Sequence, residues 1–370
     1  MSEQLKNLIA NRIRQDIVSM HAYAVQDSKG MVKLDAMENP HRLPADLQQK
    51  LGERLGQLAL NRYPDGRVND LRTALAAYTD MPADFDMMLG NGSDELISLL
   101  AMVCDVKGAK ILAPLPGFVM YAMSAQLQGL AFIGVDLTAE FELDVPAMLA
   151  AIKTHQPAIT YLAYPNNPTA NLWDEAAMAQ IIAAVGEIGG LVVLDEAYQP
   201  FSSKTYLDVI RAQPATHQHV LLMRTLSKFG LAGVRLGYMM GPKALIAEVD
   251  KVRPPYNISV LNYECALFAL EHKEVFSSQA DELIDQRAML FDALSKIPDI
   301  KVFKSDANMM LLRVQGGNEQ AAKTFDGMKA RGVLVKNVSK MHPLLAGCLR
   351  LTVGTAAENE TMLVAIKNSL

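Results

Sequence analysis

"LVVLDEAY", residues 191–198, decides how this chain is read. Four aliphatic residues make a run short enough for a strand buried on both faces, and Asp195 closes it. Tyr198 follows three residues later. An open parallel sheet holds its ligands beyond the carboxyl ends of its strands, so an acid and a phenol at this place are candidate site residues.

Runs of the same kind recur outward from this one. KILA (110–113), AFIGVDL (131–137), AITYLA (158–163), HVLLMR (219–224) and GYMMG (237–241) alternate with amphipathic stretches, the pattern of parallel strands joined by crossover helices. DELISLLAMVC sets Leu96, Leu99, Leu100 and Val103 on one helical face. Asp144 before Pro146 reads as an N-cap, and Met178, Ile181, Ile182 and Val185 form a stripe that stops at Gly189 and Gly190. After about residue 260 the pattern changes: DANMMLLRV and CLRLTVGT flank the helical segment AAKTFDGMKARG. The expected fold is α/β, a mostly parallel central sheet flanked by helices, with a smaller α+β domain. Residues 1–32 are expected to be an N-terminal arm packing on the small domain, 33–265 the large cofactor-binding domain and 266–370 the small one.

Composition narrows the partners. A net charge of −5 over 370 residues offers no basic footprint for nucleic acid or an anionic membrane. Cys104, Cys265 and Cys348 are odd in number and lie outside any C-x-x-C spacing, so neither a disulfide framework nor a metal site is expected. The N-terminus lacks the unbroken apolar core of a secretory signal, and eighteen apolar residues never run together. A soluble cytoplasmic protein is expected.

The residues after each apolar run form a short list. YPNNPTA follows AITYLA and places Asn167 in a loop bracketed by Pro165 and Pro168; PLPGFVMY follows KILA and offers Phe118 and Tyr121 as aromatic plates. After HVLLMR come Thr225, Ser227 and Lys228, then Arg235; upstream, Gly92, Ser93 and Asp94 open an amphipathic helix whose N–H groups suit an anion. Taken singly, Asp195 is equally a helix cap, the NNP loop a plain turn and Lys228 a solvated cation. Together they match one ligand: a phosphate for the helix end, Arg235 and the hydroxyls, a ring for Phe118, a ring nitrogen for Asp195, a phenolic oxygen for Asn167 and Tyr198, and an aldehyde for Lys228. Pyridoxal phosphate has those parts.

LVVLDEAY, YPNNPT, TLSK and GLAGVRLGY, in this order, resemble the fold type I pyridoxal-phosphate aminotransferases, and within them the histidinol-phosphate aminotransferases. LDAMENP (34–40), NRYPDG (61–66), GNGSDELI (90–97) and GCLRLTVGT (347–355) carry the narrower likeness. The resemblance implies that Lys228 is the Schiff-base lysine and Asp195 the partner of the pyridinium nitrogen. It also implies that Tyr63 reaches across a homodimer interface to the neighbour's cofactor phosphate. Arg350 resembles the arginine that binds the substrate's anionic group, and Tyr23 and Asn39 match positions lining the substrate pocket. Two departures stand out: Ala170 occupies a place often held by glycine after N-P-T, and GVLVK carries Lys336 where many members have an arginine, which leaves a plain surface lysine as the alternative.

The implied reaction is ping-pong transamination between an amino donor, L-histidinol phosphate, and an oxo-acid acceptor, 2-oxoglutarate, yielding imidazole acetol phosphate and glutamate in histidine biosynthesis. The alternatives on the same fold are an aromatic or broad-specificity aminotransferase and a pyridoxal-phosphate-dependent amino-acid phosphate decarboxylase. A regulator built on this fold is disfavoured, because the thirty residues before LDAMENP are too few and not basic enough for an appended DNA-binding domain.

Overall fold

The computed structural model describes residues 1–20, 26–64 and 68–370, which fall into two compact units, Met1–Gly30 and Met31–Leu370. In the first, the helix Glu3–Arg12 starts at Ser2, whose hydroxyl oxygen accepts the Leu5 N–H at 3.3 Å. A shorter helix, Gln15–Val18, follows. Tyr23 lies outside the described residues.

In the second unit seven strands, among the described residues, form one sheet in the order Phe85–Gly90, Gly237–Pro242, Val220–Thr225, Leu191–Asp195, Ile159–Ala163, Lys110–Leu115 and Ala131–Asp136. The last five are mutually parallel. Gly237–Pro242, expected among the parallel runs, instead lies antiparallel to both of its neighbours. The cause is the connection Leu226–Leu236, which has only tight turns and no crossover helix to carry the chain back to the far end of the sheet. Phe85–Gly90 was not recognisable as a strand: Asp86 interrupts it, held at the surface by Arg72 at 2.5 Å.

The continuous apolar runs arise because the sheet is covered on both sides. Leu112, Leu162, Leu194 and Leu222 pack into one core with Met178, Ile181, Ile182 and Val185 of the helix Glu175–Glu187. Their strand neighbours Ile111, Tyr161, Val193 and Leu221 pack into another with Leu96, Leu99 and Leu100 of the helix Ser93–Val103. Alternate residues along each strand therefore feed opposite cores, which makes the runs apolar on both faces. Asp144 caps Val145–His155 by accepting the Ala147 N–H at 3.0 Å, as its place before Pro146 suggested.

A second, antiparallel sheet has the order Lys336–Asn337, Cys348–Thr352, Met309–Val314 and Ile300–Val302. Gly317–Ala330 and Ala356–Lys367 pack with it, the latter opened by a capping box between Thr355 and Glu358. Val32–Lys33 pairs in parallel with Val333–Leu334, which ties the LDAMENP segment to this part of the molecule.

Two local features shape the ligand side of the large sheet. Ala170 is fully buried with φ of +66°, so the turn after N-P-T keeps its left-handed form without glycine, at a cost of about 1–2 kcal/mol. Beyond it Trp173, 3% exposed, donates its indole N–H to the Phe141 carbonyl at 3.2 Å. On the other side of the strand ends, Arg224 donates to Glu196 through Nε at 3.0 Å and through a terminal nitrogen at 2.8 Å, both residues being buried. Glu196 also accepts from the Tyr206 N–H at 2.6 Å and from the Thr205 hydroxyl at 2.9 Å.

Removing one member of a buried ion pair leaves an uncompensated charge. Glu196→Ala is expected to lower stability by about 3–5 kcal/mol in urea unfolding, whereas Glu196→Leu combined with Arg224→Met loses less than Glu196→Ala alone. A double variant as unstable as the sum of its single changes would contradict this account.

Candidate active site

The carboxyl ends of the central strands surround a cavity of about 360 Å³. Asp195, Tyr198, Asn167, Phe118, Ser93, Asp94, Thr225, Ser227, Lys228 and Arg235 all line it. These ten residues come from four strand ends and one helix N-terminus, and the sheet order is what brings them together.

Asp195 ends its strand and is 5% exposed. One carboxylate oxygen accepts the Tyr121 hydroxyl at 2.6 Å and the other accepts the Ala197 N–H at 3.1 Å. Burial pushes its pKa up to about 6, against the two donors, which pull it down; Asp94 and Glu196 add to the rise. Tyr198 stands beyond it, its hydroxyl accepting from the Asn167 amide at 3.1 Å. Burial drives that phenol's pKa upward, with the Arg350 charge opposing. The Asn167 carbonyl oxygen in turn accepts from Arg350 at 2.7 Å, and Arg350 also donates to the Asp35 carbonyl at 2.9 Å.

Lys228 follows the strand Val220–Thr225 in a π-helical turn, and its Nζ donates to the Ala36 carbonyl at 2.9 Å. Its pKa falls to about 8, mainly through burial and then through the Arg350 charge; Glu38 opposes this, while Arg235 and Lys33 assist. Glu38 lines the cavity and is paired with Lys33. Gly230, with φ of +132°, turns the chain away, and Arg235 enters the next strand with φ of +55°.

In the same cavity Arg235 links the Thr225 and Ser227 hydroxyls to the start of the helix Ser93–Val103. The Thr225 and Ser227 hydroxyl oxygens are 3.0 Å apart, and Arg235 donates to Ser227 Oγ at 3.4 Å and to Asp94 at 3.2 Å. Gly92 has φ of +82°, and a Cβ there would stand 2.7 Å from an Arg235 nitrogen. A Cβ on Gly237 would stand 2.7 Å from the Ser93 nitrogen, so both glycines keep the space around this helix end clear. Backbone N–H groups, two hydroxyls and a guanidinium at one helix N-terminus form a site for a dianion such as a phosphate.

The remaining candidates lie elsewhere in the chain. Tyr63 is 77% exposed and stacks on Tyr256 with ring centroids 4.6 Å apart, away from the cavity lining. Asn39 donates to Gln279 at 3.0 Å, while its neighbours Ala36, Met37 and Glu38 line the cavity. Lys336 is directly opposite Arg350 in the antiparallel register and is half-buried. The Ala36 carbonyl was invisible in the sequence because a backbone oxygen has no residue signature. The Tyr121 hydroxyl bond was hidden for another reason: PLPGFVMY advertises aromatic faces, not where an O–H points.

A sequence profile described as Aminotransferase class I and II matches residues 29–366. The histidinol-phosphate aminotransferase of Polaromonas naphthalenivorans is 71% identical over the whole of this chain and 98% of its own length. That of Methylibium petroleiphilum is 64% identical over 98% of this chain and 95% of its own. Among solved structures, the histidinol-phosphate aminotransferase from Sinorhizobium meliloti in complex with pyridoxal-5'-phosphate shares the fold with a TM-score of 0.83 at 22% identity, over 96% of each chain. L-Threonine-O-3-phosphate decarboxylase from Porphyromonas gingivalis shares it with a TM-score of 0.76 at 20% identity, over 91% of this chain and 98% of its own. The fold alone therefore does not choose between transamination and decarboxylation, but the close relatives do, and the chain belongs to the class I and II aminotransferases, in the histidinol-phosphate aminotransferase group that it matches from end to end.

Proposed function

We propose that this chain transfers an amino group from L-histidinol phosphate to 2-oxoglutarate, giving imidazole acetol phosphate and glutamate, with pyridoxal 5'-phosphate as its cofactor. The observation that carries the reading is 71% identity across the whole chain to a histidinol-phosphate aminotransferase. The donor set of the cavity fits the cofactor. A dianion site, a buried carboxylate, a paired phenol and amide, an aromatic wall and a lysine of lowered pKa are spaced around one cavity of about 360 Å³. The two glycines that clear the helix end leave that site open to a phosphate.

In this reading Ser93, Asp94, the Gly92 turn, Thr225, Ser227 and Arg235 hold the phosphate, and Phe118 covers the ring. Asp195 keeps a proton on the ring nitrogen, and Asn167 with Tyr198 binds the phenolic oxygen. When bound, the cofactor supplies a conjugated ring that accepts the electrons left at the substrate's Cα. Lys228 Nζ would hold the cofactor's aldehyde and, as the free amine, would take the substrate's Cα proton and give it back. A pKa near 8 suits this, since the neutral amine is accessible at modest cost and its conjugate acid still gives the proton back. Arg350 receives the substrate's anionic group through a planar fork, with Asn39 lining the pocket and Lys336 adding a point charge. We further propose a cytoplasmic homodimer in which the partner subunit's Tyr63 completes the phosphate site, its exposure in the single chain supporting that role. The division into an arm, 1–32, a large domain, 33–265, and a small domain, 266–370, belongs to the same proposal.

Amino transfer to 2-oxoglutarate is expected from histidinol phosphate well ahead of phenylalanine, with no carbon dioxide released from threonine phosphate. An enzyme inert towards histidinol phosphate would end the assignment. Lys228→Ala is expected to lose at least about 10³-fold in turnover and, with it, the absorbance band of the lysine-linked cofactor that borohydride bleaches in the wild type. Capture of the cofactor by the apoenzyme requires the neutral amine. Because the Lys228 pKa is lowered to about 8, the capture rate, followed by stopped-flow absorbance, should rise with pH up to about 8 and level off above it. A rate still climbing through pH 10 would mean an unshifted lysine.

A further inference from the structure

We propose that Tyr121 is a positioning residue for the cofactor site: its hydroxyl, donated to Asp195 at 2.6 Å in the wall of the cavity, holds that carboxylate as an anion in one orientation and thereby governs cofactor affinity. This rests on the reading of Asp195 as the partner of the ring nitrogen.

The geometry leaves Tyr121 little other freedom. It belongs to the helix Val119–Gln128, and its ring stacks on Tyr161 with centroids 4.2 Å apart and planes 6° apart. Phe118 meets it edge-on at 5.6 Å. Two rings thus fix the plane of the phenol, and its single polar atom falls on the carboxylate. Tyr161 provides the contrast: it is equally buried and shares the stack, yet among the described residues its hydroxyl has no hydrogen-bond partner. The stack needs only the rings, so the O–H of Tyr121 is the part aimed at the site.

A buried carboxylate stays ionised only if donors replace the water it has lost. Among the described residues Asp195 has two, the Tyr121 hydroxyl and the Ala197 N–H. Even so, burial takes its pKa to about 6. The other titratable groups around it give no relief: Asp94 and Glu196 push the same way, and Tyr161 and Tyr198 are neutral phenols. Of the cations in the cavity lining, Arg235 is held to Asp94 and Lys228 loses charge above about pH 8. Tyr121 itself stays an O–H donor throughout, because burial and the Asp195 charge both oppose its ionisation.

The sign follows. Cofactor affinity that depends on ionised Asp195 is fully present above that group's pKa and is lost as the pH falls through it. Deleting the phenolic O–H raises the pKa further, so the loss begins at a higher pH.

The test is the dissociation constant of pyridoxal phosphate from apoenzyme, measured by absorbance titration between pH 5.5 and 8.5 for wild type, Tyr121→Phe and Tyr161→Phe, with the melting temperature of each apoenzyme recorded. Tyr121→Phe should bind about tenfold more weakly below pH 6.5 and approach wild type near pH 8.5. Tyr161→Phe, which deletes a hydroxyl from the same stack, should overlay the wild type. A Tyr121→Phe curve that overlays the wild type, or is displaced equally at every pH, overturns the proposal, as does an equal effect of Tyr161→Phe. If Tyr121→Phe does not fold, the ring-nitrogen ¹⁵N shift of labelled cofactor bound to Tyr121→Leu, which carries no donor, and to wild type decides instead. An unchanged shift overturns the proposal, and a shift towards the unprotonated nitrogen supports it. Wild-type apoenzyme that takes up no pyridoxal phosphate would refute the cofactor reading itself, a result distinct from any of these.

Discussion

The cavity depends on two strand ends staying level with each other. Asp195 pairs with Met223 in the parallel register, so Glu196 comes alongside Arg224, on the face opposite the cavity. Their buried, two-pronged ion pair fastens the end of one strand to the end of the next. Period-two alternation then turns Asp195 and Thr225 to the ligand side. A slip of one residue between these strands would exchange the two faces, burying the cavity's carboxylate in the core and exposing the pair that now locks the register. The chemistry on one side of the sheet is thus indexed by an electrostatic contact on the other.

Much of this was legible beforehand because it follows from burial. The five parallel strands are continuous apolar runs, and a sheet covered on both faces leaves their ends as the places where polar residues are tolerated. Reading only those ends found Asp195, Asn167, Thr225, Ser227 and Lys228. Gly237–Pro242 misled because an apolar run does not carry its direction; that comes from the connection, and the tight turns after Lys228 forbid a crossover. Phe85–Gly90 was hidden by Asp86, whose partner Arg72 can be known only from the tertiary structure.

The residues that were missed share a property: each acts through an atom or a direction that residue type does not announce. The Ala36 carbonyl beside Lys228 is backbone, and Glu38 looked like part of a motif instead of part of a wall. Tyr121 looked like a plate and is a plate with a donor attached. Ala170 is the converse case. Glycine often stands at its place, yet the turn keeps the left-handed form with alanine, φ being +66°. The surrounding packing, with Met37, Tyr198 and Met309 against the alanine, over-determines the backbone there.

Trp173 is the only tryptophan in the chain, and its indole is buried in the large core and hydrogen-bonded to the Phe141 carbonyl. Its indole therefore makes the protein a single-fluorophore system whose emission arises from one dry position in the wall of the large core. Spectral changes can be assigned without deconvolution. A red shift would report water reaching that wall, while events confined to the helix Glu3–Arg12 have no tryptophan of their own through which to register.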